Sequence, residues 1–168
     1  MRARAKAAFA LAFLLAGCAA PGGSTRIVED RERKFRFQIP EGWLYFGDEI
    51  RSPSKSLLTI QIHSLEGAER KFVSGLPESL LPQLEGWTRY YYTIAGEPVR
   101  SETTIGGERA FEIRWPVKIR PNDPATQVTY WVVRRGSLLY ILRAAYPPAA
   151  ADKDEPAIRA LLASWAFL

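Results

Sequence analysis

Two segments near the carboxyl end, Thr126 to Arg134 and Leu138 to Tyr146, meet at Arg135-Gly136 and are apolar at successive positions. The first carries Tyr130, Trp131, Val132 and Val133, and the second Leu138, Leu139, Tyr140, Ile141 and Leu142. A strand buried on one face alternates apolar with polar residues, whereas one apolar at every position is buried on both. The pair therefore predicts an antiparallel hairpin inside a sheet that is covered on both faces, with helices as the cover. One covering helix is legible. Asp152 can cap it, Glu155 sits three residues later, and Ile158, Leu161, Leu162 and Trp165 recur at i, i+3, i+4 and i+7.

The remaining strands follow from alternation and turn residues. Lys34 to Ile39 places Phe35, Phe37 and Ile39 on one side, and Pro40-Glu41-Gly42-Trp43 ends it with a turn and an aromatic plug. Leu44 to Ile50 reads as a short strand. Leu57 to His63 puts Leu58, Ile60 and Ile62 on one face and Thr59, Gln61 and His63 on the other. Ala68 to Trp87 has helical spacing, but Pro77 and Pro82 predict two short pieces rather than one helix. Arg89 to Gly96, with Tyr90-Tyr91-Tyr92, has no clear period. Glu97 to Thr104 and Glu108 to Arg120 form a hairpin across Ile105-Gly106-Gly107. Burial favours a three-residue loop or a bulge, which sets Ile113 opposite Val99, over a two-residue Gly-Gly turn, which sets it opposite Arg100. Pro116 cannot donate a ladder bond and marks an edge or a bulge. With Pro121 to Ala125 as the next loop, Arg120 pairs with Thr126 and Trp115 falls opposite Trp131. The fold class is α+β: an antiparallel β-sheet with helices on both faces.

The first residues carry an address. Arg2, Arg4 and Lys6 precede the apolar run Ala7 to Ala16, which suits a signal h-region and falls short of the roughly 20 residues that span a bilayer. Leu15-Ala16-Gly17-Cys18 resembles the lipobox of bacterial lipoprotein precursors. That resemblance implies cleavage between Gly17 and Cys18, a diacylglyceryl group on the Cys18 thiol and acylation of the new amino terminus. In lipoproteins of two-membrane bacteria an aspartate after the cysteine favours the inner membrane. Ala19 stands there instead, which points to the periplasmic face of the outer membrane. The expected organisation is a signal over 1–17, the lipidated cysteine and a flexible tether over 18–32, and one globular domain over 33–168. Cys18 is the only cysteine, so no intramolecular disulfide forms. The signal holds three of the 23 basic residues, which leaves 20 against 18 acidic ones and argues against nucleic acid as a partner.

A search for chemistry finds little. His63 is the single histidine, expected on a polar, solvated face without metal-binding or triad partners. The pairs Asp48/Glu49 and Glu66/Glu69 sit among arginines and read as surface charge. No Gly-x-Ser-x-Gly elbow occurs, and Gly106-Gly107 is a turn. No catalytic residue, metal site or cofactor is expected, and the chain is not expected to be an enzyme. Trp43, Trp115, Trp131 and Trp165 read as core. Trp87 with Tyr90, Tyr91 and Tyr92 is the candidate contact surface, because three consecutive tyrosines in an extended chain cannot all face one core. Arg114 and Lys118, with Arg120, share a polar face and are candidates for contact with a partner or an anionic headgroup.

Phe37 to Trp43 (FQIPEGW), Ile105 to Phe111 (IGGERAF), Arg135 to Arg143 (RGSLLYILR) and the terminal Ser164 to Phe167 (SWAF) together resemble the PsbP-like α/β/α sandwich. That family includes an extrinsic photosystem protein, a Ran-binding nuclear import factor and DcrB-like lipoproteins. The resemblance covers about residues 33–168, brings no shared catalytic motif, and implies a binding, scaffolding or assembly role. The expectation is a monomeric, membrane-tethered, non-enzymatic module. Its partners would be the bilayer, through acylated Cys18, and a protein of the cell envelope. The alternative is a carrier of a small apolar ligand between sheet and helix.

Overall fold

A computed structural model describes residues 24–65 and 77–168. The two-sided hairpin is at its centre. Strands β9 (Thr126–Arg135) and β10 (Leu138–Ala145) pair antiparallel with Leu138 opposite Arg135, and β9 is buried at every position from Val128 to Val133. Outward from β10 come β5 (Leu57–Ser64), β4 (Glu49–Arg51) and β3 (Leu44–Tyr45). Outward from β9 comes β8 (Glu108–Lys118), whose far side pairs with β6 (Thr93–Ile94) and β7 (Val99–Ile105). Every pairing is antiparallel.

Each face has its own core. On one, Leu58, Ile60, Trp131, Val133, Tyr140 and Leu142 meet Ile158, Leu161 and Leu162 of helix α2 (Ala151–Ala163). On the other, Ile113, Trp115, Val117, Tyr130 and Ile141 lie under Leu80 and Leu84 of helix α1 (Pro77–Tyr91). The four tryptophans read as core are buried. The expected helix on each face is present. The α2 side has a second cover, a three-stranded sheet of β1 (Thr25–Asp30), β2 (Phe35–Pro40) and β11 (Ala166–Phe167). Strand β1 lies within the stretch expected to be a flexible tether over 18–32, so Thr25–Asp30 belongs to the fold. Only Val28 of β1 is buried, opposite Phe37, so its charge-dense sequence shows no alternation.

Helix α1 runs unbroken through Pro82, against the expectation of two pieces. Pro77 takes the first helical position, where its missing N–H costs nothing. Pro82 forfeits a single bond on the exposed side, while Leu80 and Leu84 hold the opposite side in the core. The stretch expected to be helical before Pro77, and the pair Glu66/Glu69, fall at 66–76, outside the described residues. Asp152 does not cap α2. A 3-10 turn over Pro148–Ala150 feeds the helix directly, Ala150 is the cap residue, and Asp152 lies in the first turn, where the helix dipole favours an acid. Its neighbour Asp154 is buried and accepts hydrogen bonds from Ser52 Oγ at 2.6 Å and Ser54 Oγ at 3.2 Å, tying α2 to the β4–β5 loop.

Two registers also differ from expectation. The β7–β8 hairpin turns on Gly106-Gly107 alone, with φ of 59° and 84°, so Ile113 faces Arg100 and Phe111 faces Glu102. Burial does not decide here, because β7 is an outer strand exposed over most of its length; the twist-matched turn that glycines permit decides instead. A Cβ on Gly106 would lie 2.7 Å from the Phe167 ring, whereas one on Gly107 meets nothing within 4 Å. Gly107→Ala should therefore cost only the left-handed strain, about 1–2 kcal/mol, and Gly106→Ala about 1–3 kcal/mol more. Equal denaturation midpoints for the two variants would show that the contact is unimportant. In β8–β9 the connection runs from Ile119 to Ala125, which puts Trp115 opposite Val128 and Trp131 opposite Glu112. The register differs by three residues, an odd number, so the two tryptophans lie on opposite faces. Trp115 instead meets Tyr130 edge-on, with ring centroids 5.7 Å apart. Pro116 is not at a sheet edge. Its carbonyl accepts from Ala95 N, so its missing donor points to the same side, into the gap between β6 and β7.

Candidate functional site

Helix α1 overlies β8, β9 and β10. Where its carboxyl-terminal half meets β5 and β4, a cleft of about 300 Å³ opens, with Trp87 and Tyr91 on the helix side and Asp48, Glu49, Thr59, Gln61, Tyr130 and Arg143 on the sheet side. Register places these groups together. Arg143 lies opposite Thr59 on one side and Tyr130 on the other, and Thr59 lies opposite Glu49.

Arg143 is the centre of the cleft. Its guanidinium carbon stands 5.2 Å from the Tyr91 ring centroid, a cation–π contact. Its Nε is buried without a hydrogen-bond acceptor, and among the described residues no carboxylate is within ion-pair distance of it. Beside it, Thr88 Oγ1 donates to the Leu84 carbonyl at 2.8 Å, so the Tyr130 hydroxyl, 3.1 Å from Thr88 Oγ1, donates to that oxygen, while its own oxygen faces the Arg143 guanidinium as an acceptor. Burial pushes the Tyr130 phenol up, and Thr88 and Arg143 pull it partly back. Burial likewise raises Tyr92 against the pull of Arg143.

The tyrosine run is the last turn of α1 and its exit, not an extended segment. Successive side chains point in different directions. Tyr90 is 81% exposed, Tyr91 is 58% exposed and Tyr92 is half-buried against the core. Tyr90 and Tyr91 meet edge-on at 4.8 Å. Trp87 and Tyr91 thus belong to the cleft, and Tyr90 stands beside it.

Arg114 and Lys118 do not join them. They lie on the α2 side of the sheet. Arg114 Nε is 3.3 Å from the Glu112 carboxylate, and Lys118 Nζ donates to the Pro121 carbonyl at 3.2 Å. Glu112 gathers further partners: Trp131 Nε1 at 3.0 Å and the Arg159 guanidinium at 2.8 and 3.1 Å. Arg159 also bonds Glu155 at 2.8 Å. Arg114 is therefore half-buried beside an ionic network rather than on a solvated face. His63 shares a face with Thr59 and Gln61 as expected, but it is half-buried, opposite Leu139, and its Nε2 has no hydrogen-bond partner. Gly17 and Cys18 lie outside the described residues. Among the described residues no group of three or more His, Cys, Asp or Glu is placed to hold a metal ion, and no helix is long and apolar enough to cross a membrane. Sequence reading missed Arg143. Its signal was one cation in the apolar run Leu138 to Ala145 (LLYILRAA).

No protein-family model and no curated protein matches the chain. Solved structures do. Cyanobacterial PsbP (CyanoP) from Synechocystis sp. PCC 6803 superposes with a TM-score of 0.62 at 12% identity, covering 92% of this chain and 99% of its own. LpqN of Mycobacterium tuberculosis, described as involved in cell envelope biogenesis, gives 0.54 at 14% identity over 89% of this chain and 86% of its own. The Ran-binding protein Mog1p of Saccharomyces cerevisiae gives 0.52 at 9% identity over 87% and 96%. The chain has the PsbP-like α+β sandwich fold. At these identities the likeness concerns the fold alone.

Proposed function

We propose that the protein is a non-enzymatic binding or assembly module of the bacterial cell envelope, tethered through acylated Cys18, with the cleft at the end of α1 as its contact site. One observation carries the reading: Trp87 and exposed Tyr91 line a cleft with a half-buried arginine, and exposed Tyr90 packs against Tyr91, a composition typical of protein contact surfaces. The description of LpqN as involved in cell envelope biogenesis and of Mog1p as a Ran-binding protein supports a binding or assembly role on this scaffold. The module is preferred to the carrier because Leu80 and Leu84 fill the space between α1 and the sheet, and the cleft beside them has charged walls.

The contact site is tested by capture from the native envelope with the wild type and with a Tyr90→Ala/Tyr91→Ala variant. Both side chains are exposed, so the variant should fold normally. A protein retained by the wild type and lost by the variant is the expected result; identical captures would reject the cleft as the contact site. The tether is tested separately. Cys18→Ala should block lipid attachment and cleavage at Gly17. Replacing residues 1–18 with a soluble secretory signal should release a folded monomer. A released domain that still sediments with membranes after a high-salt wash would show that Cys18 is not the sole anchor.

A further inference from the structure

Resting on the module reading, we propose that the cleft recognises a carboxylate carried by a polypeptide partner, with Arg143 as the anchor. Three observations converge on Arg143. Its Nε is buried without an acceptor, no carboxylate of the described chain pairs with it, and its guanidinium carbon lies 5.2 Å from the Tyr91 ring centroid, which holds the cation at the cleft. A buried cationic donor without an acceptor is costly, and a ligand that supplies the acceptor recovers that cost on binding. Asp48 and Glu49 line the same cleft, so a singly charged carboxylate is favoured over a doubly charged phosphate monoester. The volume, about 300 Å³, lies at the lower end of small-molecule sites, which run from roughly 300 to 1,000 Å³. It is large enough for one anchoring side chain or chain end. Beyond the cleft, exposed Tyr90 beside Tyr91, and exposed Phe46, whose ring is covered by Arg51, the ion-pair partner of Glu49, offer further contact. Exposed aromatics near a cleft with a buried cationic donor suit a polypeptide partner.

The test is side-chain NMR of the isotope-labelled full-length mature protein titrated with three peptides. The first is a tetrapeptide blocked at both ends and carrying one phenylalanine and one glutamate. The second replaces the glutamate with glutamine. The third keeps the glutamine but has a free terminal carboxylate. The glutamate peptide, the free-terminus peptide or both should shift the Arg143 Nε–H and Trp87 indole resonances in a saturable way. The doubly blocked glutamine peptide should bind about tenfold weaker or less, as expected when a charge-assisted pair is lost. Which carboxylate wins tells a side chain from a chain end. Arg143→Gln should abolish the preference for carboxylate, and Arg143→Lys, which keeps the charge without the fork, should retain part of it. If Arg143→Gln fails to fold, Arg143→Lys alone carries the comparison. Equal binding of the glutamate and glutamine peptides at Trp87 overturns the carboxylate inference and leaves the module reading standing. Failure of both carboxylate peptides to move Arg143 also overturns it. A capture experiment insensitive to Tyr90 and Tyr91 overturns the contact site itself.

Discussion

Trp165→Ala should lower the unfolding free energy by about 3–5 kcal/mol, read from chemical denaturation at neutral pH. Trp165 follows α2 directly and is buried where the helix, the small sheet and the main sheet meet. Its ring stacks on Phe37 with centroids 5.0 Å apart and planes 13° apart, and lies 4.6 Å from Phe35. Both phenylalanines belong to β2, so one side chain couples the carboxyl-terminal helix to the amino-terminal strands. The indole N–H is buried without a partner, so its removal spares one unsatisfied donor and places the expected cost in the lower half of the range. Partial collapse of the site would lower it further. A loss under about 1 kcal/mol would mean that β1, β2 and β11 contribute little to global stability and open as a separate unit.

The elements that the sequence discloses are those where burial alone selects the conformation. Strands β2 and β5 and the apolar stripe of α2 follow their patterns because each side chain has one acceptable side, and β9 and β10 follow theirs because both faces are buried. Registers are a different matter. In β7–β8 the outer strand has little to bury, and the two glycines set the turn. In β8–β9 the apolar positions allowed either tryptophan to face either way, and a longer connection moved them apart. Strand β1 is hidden because a single residue, Val28, is buried. The site divides in the same way. Exposed aromatics at the end of α1 were legible as a run too bulky for one core. Arg143 was not, because its value comes from what surrounds it across β5, β9 and α1, and that placement depends on pairings that no local pattern contains.

Glu112 should make the protein's stability fall in acid in a way that its neutral variant does not. The carboxylate is almost wholly buried, with a side-chain exposure of 5%. Burial pushes it up, but hydrogen bonds from Arg159 and Trp131 and the charges of Arg159 and Arg114 outweigh that, so it titrates below the ordinary glutamate range. A carboxyl whose folded pKa lies below its unfolded value of about 4.3 binds fewer protons when folded. Its contribution is complete above the unfolded value and is lost as pH falls through the folded one. Glu112→Gln keeps the shape and removes the titration. The wild type should be the more stable at neutral pH, and the gap should close between about pH 5 and the folded pKa. Parallel stability–pH curves would mean that Glu112 titrates as it does in the unfolded chain. Arg159→Ala tests the other partner. It leaves the buried carboxylate with Trp131 and the more distant Arg114 alone, and a stranded buried charge costs about 3–5 kcal/mol. Arg159 is itself 42% exposed, so water replaces part of what it supplied and the lower end of that range is expected. The same variant should raise the Glu112 pKa, because the strongest counterweight to burial is gone. Combining Arg159→Ala with Glu112→Gln should then recover part of the loss, since the neutral amide no longer needs the guanidinium; strictly additive losses in that double-mutant cycle would show that the two side chains do not act as a pair.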